Sequence, residues 1–101
     1  MSTWKLTNKA GSDFAEILTY TTHTWGEEQA ERYLALLLDG FDLIAQKPGI
    51  GRTCDNLAPR LRRFEQGKHV IFYKPDRNGI LISRILHQDR LPTQPHFMDA
   101  E

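Results

Sequence analysis

The chain of 101 residues contains one cysteine, Cys54, and no long apolar run. A single cysteine excludes an internal disulfide and points to a reducing compartment. No stretch approaches the roughly 20 apolar residues that a membrane-spanning helix needs, and the N-terminus lacks the apolar segment of a signal peptide. These absences predict a cytoplasmic protein that does not bind a membrane.

The residues that hold metals and phosphates are also missing or dispersed. The four histidines are scattered along the chain, and Cys54 has no nearby partner, so no metal site is predicted. The glycine-containing stretch at residues 48–52 lacks the Gly-Lys-Ser/Thr ending of a phosphate-binding loop. The sequence therefore predicts neither a metal nor a cofactor.

No excess of either charge is present, but the charges are unevenly distributed. The formal net charge is 0, with four basic and seven acidic residues in positions 1–51 and nine basic and four acidic residues in positions 52–90. A local balance of +5 in the second segment is typical of a surface that binds an anionic partner. The alternative is a solvated surface on which the arginines pair with nearby carboxylates.

That basic segment has the pattern of an antiparallel sheet. It is rich in Val, Ile, Phe, Tyr and Leu, which suit a half-buried pleated surface, and it contains two glycine turns. We expect Gly67 and Gly79 to supply positive φ angles in these turns. The predicted strands are Leu61–Glu65, His69–Lys74 and Ile80–His87. Pro75 lacks an N–H, so it is expected at the end of a strand and not in its middle. Residues 51–59 are predicted to form an irregular connection.

The first half of the chain predicts a short strand and two helices. Trp4–Thr7 alternates as a strand does, and the Thr7 hydroxyl is placed to cap a helix over Asn8–Thr24. Gly26 breaks this helix, and a second helix is predicted over Glu27–Gln46, so the two form an antiparallel hairpin. The predicted apolar stripes are Ala10, Phe14, Ile17, Leu18, Thr21 and Trp25, then Ala30, Tyr33, Leu34, Leu37, Leu38, Phe41, Ile44 and Ala45.

These elements predict an α+β fold in which the helical hairpin packs on one face of a small, mainly antiparallel sheet. The length suits a single domain spanning residues 1–101. Pro92 and Pro95 argue against a terminal helix, so an irregular tail is predicted from about residue 91.

The second helix carries a further apolar surface beside its core stripe. Leu36 and Leu43 lie more than a quarter-turn from the stripe and, seven residues apart, stack almost in line. Gly40 lies between them, where a glycine lets another backbone approach closely. We expect an amphipathic helix of a partner protein or a second copy of the chain to bind here, unless the sheet or the C-terminal tail covers the surface.

One group of residues could carry chemistry. Arg62, Arg63, Arg84 and His87 lie on neighbouring predicted strands, and arginines with a histidine could cleave RNA without a metal. Alternation along a regular strand, however, puts Arg84 and His87 on opposite faces. The other interpretation is that Arg84 pairs with a carboxylate and His87 caps the edge of the sheet.

The order of elements resembles the RelE/ParE superfamily of bacterial type II toxins, most closely its ParE branch. The resemblance covers about residues 4–90 and is carried by five segments. In chain order they read WKLT, WGEEQAERYL, KPGIGRTCDNLAPRLRRF, HVIFY and ISRILHQDR.

The resemblance implies a toxin that is held inactive by a cognate, ParD-like antitoxin and that binds DNA gyrase without catalysis of its own. The RelE branch instead cuts messenger RNA on the ribosome, often with a C-terminal tyrosine, whereas here His87 is followed by Gln88. Arg62, Arg63 and His87 match positions that the nucleases use, so a metal-independent ribonuclease is the alternative. The predicted partner-binding residues are Leu36, Gly40, Leu43, Arg62, Arg63, Arg84 and Arg90.

Overall fold

The computed structural model describes residues 3–91 and has the predicted α+β architecture. The predicted tail, including Phe97 and Met98, lies outside the described residues. The elements are β1 (Thr3–Leu6), α1 (Asn8–Trp25), α2 (Glu27–Gln46), a 3-10 turn (Pro48–Ile50), β2 (Arg52–Thr53), β3 (Arg62–Gln66), β4 (His69–Asp76), β5 (Gly79–His87) and a second 3-10 turn (Gln88–Arg90).

The five strands form one sheet in the order β1-β5-β4-β3-β2. β1 runs parallel to β5, and the other pairs are antiparallel. The register between β4 and β5 shifts by one residue: Tyr73 pairs with Ile82, whereas the preceding residue, Phe72, pairs with Arg84. The extra residue, Ser83, forms a bulge that reverses the alternation of side chains along β5.

The helical hairpin begins and turns at the predicted residues. The Thr7 hydroxyl accepts a hydrogen bond from the Ala10 N–H at 3.0 Å, which confirms the N-cap. Gly26, with φ of +94°, separates the helices, and its N–H donates to the Thr22 carbonyl at 2.9 Å. Glu27 and Glu28 occupy the first turn of α2, where the helix dipole favours negative charge.

The main core lies between the hairpin and one face of the sheet. Leu37 and Phe41 of α2 are fully buried, and the Phe41 ring is contacted edge-on by Trp4 at 5.0 Å. Three residues of the predicted stripes, Leu18, Trp25 and Leu38, are exposed instead. The predicted stripes were too broad, because the sheet covers a narrower arc of each helix than the stripes span. Trp25 is exposed because it is the last residue of α1, at the tip of the hairpin.

A second apolar cluster covers the opposite face of the sheet. Its buried members are Cys54, Ala58, Leu61, Val70 and Phe72, so the connection before β3 packs on the sheet. This connection also contains β2, which the sequence pattern did not predict, since two residues are too few to show alternation.

Two expectations about the turns need correction. Gly67 has a φ of +62°, as expected, but Gly79 does not have a positive φ. Gly79 instead lies opposite Thr3 in the parallel pair, where a side chain would collide with the Thr3 backbone. Pro75 lies within β4 and not at its end. The pairing of β3 with β4 stops at Tyr73, so at Pro75 strand β4 has no neighbouring strand on the β3 side, where a proline is tolerated.

Candidate partner-binding surfaces

The outer flank of α2 exposes the predicted leucine pair. Leu36 and Leu43 have 39% and 40% of their surface accessible, although both are large apolar residues. Tyr33, on the same flank, packs toward the β3–β4 turn, so this side of α2 borders the edge of the sheet that carries β3. We call the surface formed by Leu36 and Leu43 the leucine patch.

Gly40 has a different neighbour from the one that the sequence indicated. It is buried, and a β-carbon at this position would lie 3.1 Å from Cγ of Gln66. The Gln66 side chain packs against α2 here, and its amide donates a hydrogen bond to the Leu36 carbonyl at 2.9 Å. The room that we expected for a partner backbone is therefore filled by Gln66, whose side chain extends across α2 between the two leucines.

The arginines of β3 are held by intramolecular contacts. Arg62 donates to the carbonyls of Gly49 at 3.3 Å and Gly51 at 2.5 Å. Arg63 donates to Glu65 at 3.0 Å, and the same carboxylate oxygen accepts from Arg52 at 2.6 Å. One carboxylate therefore serves two guanidinium groups, and part of the predicted positive charge is neutralised within the chain.

Arg84 is paired with a carboxylate from α1. Its Nε and Nη2 donate to the two Asp13 oxygens at 2.7 and 2.9 Å, which is a bidentate arrangement. Asp13 also accepts the Ile85 N–H at 3.0 Å, because β1 ends at the level of Ile82 and leaves this edge of β5 open. The hydrogen bond to Asp13 raises the pKa of Arg84.

His87 and Arg90 lie at the end of the sheet beyond these pairs. Nδ1 of His87 accepts the Asp89 N–H at 3.1 Å, and its ring meets the His69 ring edge-on with centroids 5.3 Å apart. Arg90 is exposed in the second 3-10 turn, and its side chain has no hydrogen bond or ion pair to another residue between 3 and 91.

The four residues considered for catalysis do not converge on one point. Arg63 and Arg84 flank Phe72 in one row across the sheet, so their side chains share a face. Arg62 precedes Arg63 and points to the opposite face, while His87 lies on the helix side with Ile85. Arg84 and His87 are on opposite faces, as the alternation predicted.

A hydrogen-bonded contact between α2 and the β3–β4 turn was not predicted. The Lys68 N–H donates to the Tyr33 hydroxyl at 3.0 Å, and that hydroxyl lies 2.5 Å from Nδ1 of His69. Burial, aided by the neighbouring His87, lowers the pKa of His69 to about 4. Tyr33 appeared in the sequence only as a stripe residue, and no local signal reveals a contact 36 residues away.

Comparison with known proteins identifies the family. Residues 4–92 match the model of the ParE toxin of the type II toxin-antitoxin system parDE. The chain belongs to the ParE toxin family. It is 38% identical over 90 residues to Toxin ParE1 of Caulobacter vibrioides, covering 87% of this chain and 91% of the relative. It is also 38% identical over 88 residues to Toxin ParE1 of Mycobacterium tuberculosis, covering 86% and 90% of the two chains.

The fold has a close counterpart among solved structures. A chain of the chromosomal ParDE toxin-antitoxin system from P. aeruginosa superimposes with a TM-score of 0.71 at 22% identity, covering 86% of this chain and 96% of that one. This likeness supports the ParE fold. In residues 3–91 no helix is long and apolar enough to span a membrane, and His, Cys, Asp and Glu side chains form no group of three that could hold a metal.

Proposed function

We propose that this chain is the toxin of a type II toxin-antitoxin system, that it acts in the cytoplasm, and that it poisons DNA gyrase by binding it. Membership of the ParE family is the observation that carries the proposal. We further propose that a ParD-like antitoxin encoded with the toxin neutralises it.

A mechanism without catalysis is favoured over the ribonuclease alternative by the state of the arginines. Arg62 is engaged by backbone carbonyls and Arg84 by Asp13, so neither guanidinium is available to a scissile phosphate without breaking an internal contact. His87 lies on the opposite face from Arg84. A nuclease needs its acid, base and phosphate-binding groups within reach of one bond, so the separation of these residues supports binding without catalysis.

The leucine patch is the surface that we assign to the antitoxin. Two large apolar side chains, each about 40% exposed and aligned along one helix, suit the apolar face of an amphipathic helix. Gln66 lies between them and offers a polar contact at the centre. A second copy of the chain is the alternative occupant of the same patch.

The arginines of the sheet are assigned a supporting role in partner binding. Arg63 and Arg84 are three-quarters buried as side chains, and each has a carboxylate partner, so they shape the surface more than they add free charge. Arg90 is exposed and unpaired among the described residues, which makes it the better candidate for a direct electrostatic contact.

Two assays separate the gyrase and ribosome hypotheses. Purified chain is incubated with gyrase and relaxed plasmid, and separately with translating ribosomes and a defined message. We expect loss of supercoiling with accumulation of cleaved plasmid, and an intact message. Cleavage of the message in the ribosomal A site, with supercoiling unaffected, would reverse the assignment.

The antitoxin surface is tested by placing charge on the leucine patch. We expect the double variant Leu36→Glu/Leu43→Glu to fold and to inhibit gyrase but to escape neutralisation, because the apolar contact is lost. The matched control is Leu18→Glu/Leu38→Glu, since those leucines are 44% and 37% exposed elsewhere on the hairpin. Equal neutralisation of both doubles would exclude the leucine patch, and concentration-dependent dimerisation lost in the first would favour a second copy.

A further inference from the structure

Arg60 occupies a backbone conformation that side chains disfavour. Its φ is +63°, and no other non-glycine residue between positions 3 and 91 has a positive φ. In this left-handed region the β-carbon of an L-residue crowds the backbone, whereas glycine, which lacks a β-carbon, adopts it freely. A glycine at position 60 would therefore suit the backbone better than the arginine that is present.

The surrounding loop imposes this conformation. The Asp55 carboxylate accepts the Arg60 N–H at 3.2 Å, and the Leu61 carbonyl accepts the Cys54 N–H at 2.8 Å, which closes the loop. Ala58 and Leu61, on either side of Arg60, are buried in the second apolar cluster. These contacts are made by the backbone of Arg60 and by its neighbours, so the Arg60 side chain contributes nothing to them.

The guanidinium of Arg60 has no partner within the described chain. It makes no hydrogen bond or ion pair with any residue between 3 and 91, whereas Arg62 and Arg63 nearby are both engaged. The residue is exposed, and its backbone is fixed by a closed loop. The loop thus fixes the backbone of an arginine whose guanidinium group is unpaired, just before the start of β3, in a conformation that favours glycine.

We infer that Arg60 binds a carboxylate of the cognate antitoxin. This inference rests on the proposed antitoxin partner but not on gyrase as the target. A guanidinium pairs with carboxylate through two parallel hydrogen bonds, and a fixed backbone reduces the entropy lost on binding. The chain has no net charge, and the neighbouring guanidinium groups are partly neutralised. The phosphate backbone of a nucleic acid is therefore a weaker candidate than a carboxylate for the ligand of Arg60.

The position of Arg60 connects it with the leucine patch. β3 begins two residues after Arg60 and ends at Gln66, whose side chain reaches Leu36. Five strand residues span roughly 17 Å, which an extended segment of similar length covers. β2 covers the edge of β3 at Arg62 and Arg63, so a single antitoxin chain seated on the leucine patch can pass over β2 and place an acidic residue at Arg60.

The experiment distinguishes the effect of the Arg60 backbone conformation on stability from the effect of its guanidinium group on antitoxin affinity. The variants are Arg60→Gly, Arg60→Ala and Arg60→Lys, with Arg77→Ala as the control for removal of an exposed arginine elsewhere. Affinity for the purified cognate antitoxin is measured by titration calorimetry at two salt concentrations, and Tm is measured for each free toxin. We expect Arg60→Gly to have an unchanged or higher Tm but to bind at least about tenfold more weakly.

The remaining variants sharpen the result. Arg60→Ala is expected to lose as much affinity as Arg60→Gly without any gain in Tm, Arg60→Lys to lose less, and Arg77→Ala to bind as wild type does. Antitoxin affinity of Arg60→Gly within twofold of wild type would overturn the inference. So would unchanged antitoxin affinity combined with a loss of gyrase inhibition or of binding to a short DNA duplex. If the wild-type chain itself does not bind the antitoxin, the proposed partner fails, and this inference fails with it.

Discussion

Removing the Asp13 carboxylate is expected to destabilise the fold more than any change of a surface charge. Asp13 accepts three hydrogen bonds, two from Arg84 and one from the Ile85 N–H, at 2.7 to 3.0 Å. The Asp13 side chain is only 11% exposed and that of Arg84 25%, so water replaces the lost partner poorly. Asp13→Ala leaves a guanidinium and a strand N–H without their acceptor.

The size of this effect follows from the groups left behind. Removing one partner of a fully buried charge pair costs about 3–5 kcal/mol, and partial solvent access at Arg84 reduces this to about 2–3 kcal/mol. For a domain of this size, that loss lowers Tm by about 8–24 °C. Asp13→Asn keeps the shape and one acceptor oxygen, so its cost is expected to fall between those of Asp13→Ala and wild type.

The assay is equilibrium unfolding in urea, followed by circular dichroism at neutral pH. The matched control is Glu28→Gln, which breaks the Arg32–Glu28 pair on the surface, where the side chains are 70% and 83% exposed. Such an exposed pair contributes about 0.3–0.5 kcal/mol, and the loss of a negative charge from the first turn of α2 adds about 0.3–1 kcal/mol. If Asp13→Ala costs no more than Glu28→Gln, the carboxylate does not hold the edge of β5, and the argument is refuted.

Two further predictions concern the core and the His69 contact. Leu37→Ala is expected to cost about 2–5 kcal/mol, because Leu37 is fully buried between α2 and the sheet; a loss below 1 kcal/mol in urea unfolding would contradict this. Since the pKa of His69 is lowered to about 4 in the folded state, unfolding takes up a proton at acid pH. The contribution of His69 to the free energy of unfolding is therefore fully present above about pH 6.5, the pKa of histidine in the unfolded chain, and it is lost as the pH falls toward 4. A His69→Gln variant should lose this part of the pH dependence, and an unchanged slope between pH 6.5 and 4 would assign it to other groups.

Local signals account for what the sequence predicted well. The boundaries of the helical hairpin depend on the Thr7 cap and on Gly26, and both act within one turn of the residue that carries them. The sheet strands from His69 onward showed enough apolar residues to be recognised, with ends that differ by one or two residues from the structure.

Long-range contacts account for what the sequence could not predict. β2 exists because Arg52 and Thr53 pair with β3, across a loop that shows no periodicity. The basic balance of residues 52–90 was counted correctly, but counting charges does not reveal that Asp13, 71 residues before Arg84, pairs with this arginine and offsets its charge. The occupant of the space at Gly40, Gln66, was hidden in the same way, because sequence spacing describes only neighbours on one helix.

The parallel pairing of β1 with β5 determines when the fold can be completed during synthesis. Thr3 pairs with Gly79, so the first strand waits for a partner that lies 76 residues later in the chain. At about 5–20 residues per second, a ribosome takes roughly 4–15 s to make that stretch. Until β5 is made, the apolar faces of α1 and α2 lack the complete sheet that covers them in the folded chain. We therefore expect the nascent chain to expose apolar surface that chaperones can bind before the domain is complete.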